Sequence, residues 1–269
     1  MSAQTEGLRS LPRRQVAPLY SVALAQIKAV LVGYRRQPLF VLLSAVLPIF
    51  FFAIFGLTFG SQRLNANFSY SALIMGDMAA YSVSNFLVLN VGIGQASQRS
   101  QKLDLLQRAT PLPPWIAITA NAVGGLLIAA VAVIVLFIFA AIQAGVHLPL
   151  VVYLDLLWRA LLGAIPMLGL GLAIGYGFSG NVAPAVANLI YLPMSFLGGI
   201  FIPITIYPTW LQNIAKVMPT YHYAQLVAGA VGAAKENIAT TLGWLAIWGV
   251  LLMGLGIYLY RLDQRRKFS

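Results

Sequence analysis

The sequence predicts an all-α integral membrane protein with six transmembrane helices, an N-terminal interfacial amphipathic helix and a re-entrant helical segment before the last span. Three observations predict it. Of the 269 residues, 60% are hydrophobic and only 9% charged, with a mean hydropathy of +0.83, against roughly 45–50% apolar and about 25% charged in a soluble domain. Apolar stretches recur at or beyond the ~20 residues that a helix needs to cross about 30 Å of hydrocarbon, and the alternation that marks barrel strands is absent. The charges, finally, gather at the ends of those stretches.

Residues 1–17 are polar and Arg-bearing, lack the apolar core of a secretory signal, and are expected to form a cytoplasmic tail. From Pro18 to Gln37 the apolar residues Tyr20, Ala23, Leu24, Ile27, Leu31 and Tyr34 recur at three- and four-residue steps, with Lys28 and Arg35 between them. That spacing predicts an interfacial helix, with Arg35 and Arg36 among lipid head groups. Pro38 then turns the chain into the bilayer, dividing a tail and interfacial helix (residues 1–38) from a six-span transmembrane domain (residues 39–269).

The first span is Leu39–Phe59, kinked or broken near Pro48 and rich in phenylalanine. The second runs from Tyr70 to about Gly94 and gives way to a polar segment, QASQRSQKLDLLQRATPLPP (Gln95–Pro114). The third, Trp115–Gln143, has no charge. A fourth, Val151–Phe178, is glycine-rich, and Gly163, Gly169, Gly171 and Gly175 fit close helix packing. The fifth extends from Ala183 to about Ile202 and the last from Thr240 to Tyr260.

Between the fifth and last spans lies GGIFIPITIYPTWLQNIAKVMPTYHYAQLVAGA (Gly198–Ala230). Pro208 suits a first helical turn and Pro219 a stop, so PTWLQNIAKVMP reads as a short helix at the outer surface with Trp210 at head-group depth. Tyr221–Ala234 would give roughly 21 Å of helix, too short to cross. It is expected to dip in and return, so that Pro203, Pro208, Trp210, Pro219 and His222 belong to an outer cap. Six crossings then leave both termini cytoplasmic and only Arg63, Arg159, Lys216 and Lys235 outside, as the positive-inside rule requires.

The same charge placement excludes nucleic-acid binding, because no basic surface remains once the spans are removed. Cysteine is absent, and His147 and His222 have no carboxylate at ligand spacing, so no metal site is expected. No G-x-x-x-x-G-K-[ST] pattern occurs, so the chain holds no P-loop of its own. Asp77, inside the second span, lines a pathway or meets a polar partner. Asp155 and Arg159, four apart on one helix, are expected to neutralise each other. An ion- or proton-coupled carrier is the alternative function; the spans offer few ionisable residues for a proton relay, and no inverted repeat is evident.

The Gly198–Ala230 stretch after a fifth span, together with the interfacial helix and the loop after span two, resembles the membrane subunit of type-2 ATP-binding-cassette exporters, the group that includes daunorubicin-resistance and polysaccharide-export permeases. The resemblance extends over the whole chain. It implies a plasma (inner) membrane export subunit that works as a dimer with a second permease copy or a paralogue. It also implies a separate ATPase subunit carrying ATP and Mg, none being bound by this chain. In that family the loop after span two packs on the ATPase. Here Leu103, Leu105 and Leu106 offer an apolar knob ringed by Arg99, Lys102 and Arg108. The family's substrate route lies between two permeases, with spans one and five at the seam. Phe51, Phe55, Phe59, Tyr191, Phe196 and Phe201 would then wall a path for an amphipathic drug, lipid or glycan-type substrate, or else form a lipid-facing or buried aromatic stripe.

Overall fold

The computed structural model describes residues 18–36, 38–60, 62–102 and 114–266. Helix α1 (Leu19–Arg35) starts directly after Pro18, whose carbonyl accepts the Ser21 hydroxyl at 2.7 Å and the Ser21 N–H at 2.9 Å, standing in for a side-chain cap. None of its residues is fully buried. Leu19, Tyr20 and Leu24 face outward, while Val30 lies so close to Gly124 that a Cβ there would sit 2.6 Å from it. Helix α2 (Pro38–Phe59) is continuous through Pro48.

Helix α3 (Tyr70–Asn85), a π-helical turn (Phe86–Val91) and α4 (Gly92–Ser100) form one continuous rod, Tyr70–Ser100, the most buried element of the fold. The polar segment expected to leave the helix at Gln95 therefore stays helical to Ser100. Tertiary bonds hold that last turn: Arg99 donates to the Gly175 carbonyl at 2.7 Å, and the Ser100 hydroxyl accepts the Gly180 N–H at 2.8 Å.

Helix α5 spans Pro114–Gln143. The fourth span, expected as one helix, is two: α6 (Leu150–Gly163) and α7 (Ile165–Gly177), joined at Ala164. Pro166 explains the joint, since it sits in the first turn of α7, where its missing N–H costs nothing. Helix α8 (Ala183–Leu197) stops earlier than the predicted Ile202, because the chain turns at Gly199 with φ +86°, a left-handed conformation open to glycine. A 3₁₀ turn (Ile204–Ile206), α9 (Thr209–Ala215), α10 (Pro219–Ala228) and a second 3₁₀ turn (Gly229–Val231) lead to α11 (Ile238–Arg266).

Among the described residues four helical segments are long and apolar enough to cross a membrane: Tyr70–Ser100, Trp115–Gln143, Leu150–Gly177 (α6 running into α7) and Ile238–Arg265; Ala45–Phe59 and Ala183–Leu197 are shorter apolar helices. Among the described residues there is no strand, only an isolated bridge between Arg63 and Ser69. Glycine sets the closest approach in the core: a Cβ on Gly171 of α7 would lie 2.6 Å from the Leu87 carbonyl oxygen in the π turn, and one on Gly92 would lie 2.8 Å from the Gly171 carbonyl. Backbone-to-backbone packing thus fixes α7 against the rod, and α11 packs along the other side of α7.

Candidate substrate pathway and coupling face

Where α2, α3, α8 and the segment after α8 converge, aromatic rings replace aliphatic packing. Phe51 lies 4.7 Å from Phe201 and 6.2 Å from Phe55, and Phe196 stacks on Phe201 at 4.5 Å. Five of the six aromatic residues singled out from sequence, Phe51, Phe55, Tyr191, Phe196 and Phe201, join this one cluster. Phe59 does not: it ends α2, exposed, with no ring partner among the described residues.

The hub of the cluster is Tyr81, which the sequence reading missed. Its ring is 4.6 Å from Phe201, 6.1 Å from Phe51 and 5.8 Å from Tyr191. Tyr81 stands four residues after Asp77, hence on the same helical face, a signal that could have found it. Ser84, one turn further on, completes the polar part. Its hydroxyl lies 2.5 Å from the Tyr191 hydroxyl and 2.7 Å from the Ala80 carbonyl, to which it donates. Ser84 and Tyr191 are both buried. Asp77 itself is half-buried and makes no hydrogen bond or ion pair among the described residues.

The residues expected at the coupling face are divided. Lys28, Arg35 and Arg36 are exposed along α1, and Lys102 is exposed just past α4, with φ +58°. Leu103, Leu105, Leu106 and Arg108 lie outside the described residues. Arg99, expected in the ring of cations offered to a partner, points inward instead. Its guanidinium reaches Asp263 of α11 at 2.5 Å and the Gly175 carbonyl at 2.7 Å, and rests over the Tyr176 ring at 5.5 Å. The reason is electrostatic: Asp263 is a buried carboxylate in an otherwise basic helix end, and burial of a charge demands a partner. That lone acid within RLDQRRK was the overlooked signal.

At the opposite end, the proline-rich stretch folds into a knot of polar contacts. Pro203 precedes the first 3₁₀ turn, Pro208 precedes α9 and Pro219 opens α10. The Thr220 hydroxyl donates to the Met194 carbonyl at 2.6 Å, and the Tyr207 hydroxyl to that of Phe196 at 2.8 Å. Burial pushes the Tyr207 hydroxyl above its usual pKa, so it remains a neutral donor. Trp210 is 64% exposed, on the face of α9 turned away from the protein. His222, by contrast, is buried, with Nδ1 3.0 Å from a Glu236 carboxylate oxygen and its ring stacked on Trp244 at 5.1 Å. Glu236 and Trp244 were not anticipated. Nearby, Asp155 and Arg159 pair at 2.8 Å as their spacing predicts, and Arg159 also donates to the Leu226 carbonyl of α10 at 3.0 Å.

Comparison with known proteins adds two findings. A family model described as ABC-2 type transporter matches residues 22–231. The chain is also 29% identical over 242 residues to a protein of Bacillus subtilis (strain 168) named "Putative transport permease YvfS", an alignment that covers 87% of this chain and 94% of that protein.

Proposed function

This chain belongs to the ABC-2 type transporter family as one of its permease subunits, a multi-pass membrane protein whose family implies an ATP-binding partner subunit, and from that premise we propose that it is the export subunit of an ATP-driven transporter. The interfacial segment 1–38 feeds a permease domain, 39–269, that crosses the plasma (inner) membrane six times with both termini cytoplasmic. It pairs with a second copy or a paralogue, and the path between them carries an amphipathic drug, lipid or glycan-type molecule outward. ATP and Mg are held by the separate ATPase subunit.

Two contacts support a fold-back of the stretch before α11. Trp248, about 15 Å of helical rise along α11 from Ile238, donates to the Val217 carbonyl at 2.8 Å. At the other end of α10, the Asn65 amide in the loop after α2 donates to the Val231 carbonyl at 3.0 Å. The chain thus climbs from Val217 toward that loop, which supports the fold-back of this stretch before α11.

The observation that carries the mechanism is Arg99. It lies next to the loop that would dock on the ATPase and is bonded to both α7 and α11. A push on the loop therefore moves three helices together. The rod that ends at Arg99 carries Tyr81 and Ser84 at the aromatic cluster, so displacement of its cytoplasmic end strains the Ser84–Tyr191 contact that closes α3 on α8. Opening of that contact between two permeases exposes a wall of rings suited to an amphipathic cargo.

The experiment is co-expression with a candidate ATP-binding subunit of the same transporter family, followed by purification and transport in inverted vesicles. Co-purification and ATP-dependent uptake are expected, and Leu105→Ala with Leu106→Ala should keep insertion while uncoupling hydrolysis from transport. Uptake by the permease alone, driven by a proton gradient, would overturn the reading.

A further inference from the structure

A groove of about 470 Å³ opens between α1, the π turn, α4 and α5. Besides Ser97, whose hydroxyl accepts from Gln101, six uncharged hydrogen-bonding side chains line it: Gln26 and Tyr34 of α1, Asn90 in the π turn, Gln95 and Gln98 of α4, and Asn121 of α5. None of the six makes a side-chain hydrogen bond to the protein among the described residues. Asn90 is the sharpest case, with only 7% of its surface exposed and its amide turned to the groove. An amide that reaches only this groove and has no partner in the protein must find its hydrogen bonds in whatever fills the groove. Asn90 also sits within a π-helical turn, a distortion that recurs at functional sites because it re-aims side chains.

The lining decides the chemistry of the occupant. No described residue of the groove is charged. Lys28, Arg35 and Arg36 are exposed and do not line it, and Arg99 of α4 is committed to Asp263. An anionic phosphate would find no cation here, and an amine no carboxylate. A purely apolar tail would leave six polar groups dry. Each Gln or Asn amide offers donors and acceptors together, which is the pattern that a run of hydroxyls both needs and supplies. Burial raises the Tyr34 hydroxyl above its ordinary pKa, keeping it a neutral donor and acceptor too.

We propose that this groove, between the interfacial helix and the π turn of the second span, binds the uncharged, hydroxyl-rich head group of a molecule anchored in the cytoplasmic leaflet. The site rests on the export reading above and narrows its cargo to a neutral, glycan-headed amphiphile waiting at the side from which export starts. The π turn links it to the pathway: the rod that presents Asn90 also presents Tyr81 and Ser84 to the aromatic cluster.

The test uses the full-length permease, in complex with its ATPase, in phosphatidylcholine nanodiscs. Because the chain has no cysteine, Ala29→Cys puts a single thiol on the groove lining, and its rate of labelling by a soluble maleimide reports occupancy. Doping with diglucosyldiacylglycerol is expected to slow labelling about fivefold, the factor 1 + [L]/Kd reached at about four times the dissociation constant. Phosphatidylglycerol and diacylglycerol of the same acyl chains should leave the rate unchanged. Asn90→Leu combined with Gln98→Leu should abolish protection while the unprotected rate stays the same. Gln26→Ala, at a half-exposed position that folding tolerates, should weaken protection on its own. Protection by soluble maltose equal to that by the glycolipid supports the hydroxyl chemistry and assigns it to a free saccharide. Equal protection by phosphatidylglycerol or diacylglycerol, or none by either sugar probe, overturns the site. Since the ATPase is retained or lost in the same preparation, a failed groove with an intact complex leaves the export reading standing, and a complex that never forms sinks that reading instead.

Discussion

Arg99 and Asp263 face each other with 17% and 9% of their side chains exposed, joining the end of α4 to α11. Removing one member of a buried pair leaves the other charge dry, at a cost of about 3–5 kcal/mol. The partial exposure of Arg99 puts Arg99→Ala at the lower end, about 3 kcal/mol on that scale. Asp263→Asn keeps an oxygen for the guanidinium and should cost less. Thermal melting of the purified permease reads both, and Arg99→Ala should in addition lose transport-stimulated ATP hydrolysis. A melting point unchanged by Arg99→Ala would mean that the clamp is incidental. At this scale the sequence offered Arg99 as an outward cation, and the structure turns it inward. A cation beside a basic loop reads as an outward charge, and only folding reveals that one buried carboxylate sits within its reach. Tyr81 teaches the converse: it carries no unusual residue type, so nothing but the four-residue step from Asp77 marked it.

Among the elements, the return from α8 to α10 depends on a single tight passage. A Cβ on Gly198 would stand 2.1 Å from the Thr220 hydroxyl and 2.8 Å from its carbonyl carbon, so the backbone of α10 would have to move. Overpacking of this kind costs about 1–3 kcal/mol. Gly198→Ala should lower the melting point accordingly and weaken transport, because it pries α10 from the end of α8. Gly243→Ala offers the contrast. Gly243 lies in α11 with open space where a methyl would stand, and the change should stabilise by up to about 1 kcal/mol through helix propensity. A Gly198→Ala protein as stable as wild type would show that the passage is slack. Pro208 marked the start of α9 as expected, whereas Pro219, read as a stop, opens α10, since a fixed φ and a missing N–H suit a first helical turn. The split of α6 from α7 and the end of α8 at Leu197 were overlooked: Pro166 and Gly199 marked them, but each sat within an apolar run that reads as one span.

For the whole molecule, the decisive question is on which side of the bilayer each loop lies. Single cysteines at Asn67, in the loop after α2, and at Arg261, near the end of α11, both exposed, answer it in a chain without native cysteine. An impermeant maleimide applied to intact cells should label Asn67→Cys and spare Arg261→Cys until the membrane is opened. Labelling of Arg261→Cys from outside would turn the coupling face away from ATP and end the proposed mechanism. Composition, run length and charge asymmetry by themselves determined that this is a helical membrane protein with long apolar helices, because the hydrophobic cost of crossing lipid is paid residue by residue and is therefore written linearly in the chain. The aromatic hub around Tyr81, the inward turn of Arg99 and the unpaired amides of the groove were decided by tertiary structure alone. Each depends on side chains far apart in sequence meeting across close-packed helices, and such meetings follow from the helix crossings set by backbone contacts such as that of Gly92 with Gly171, which no local pattern encodes.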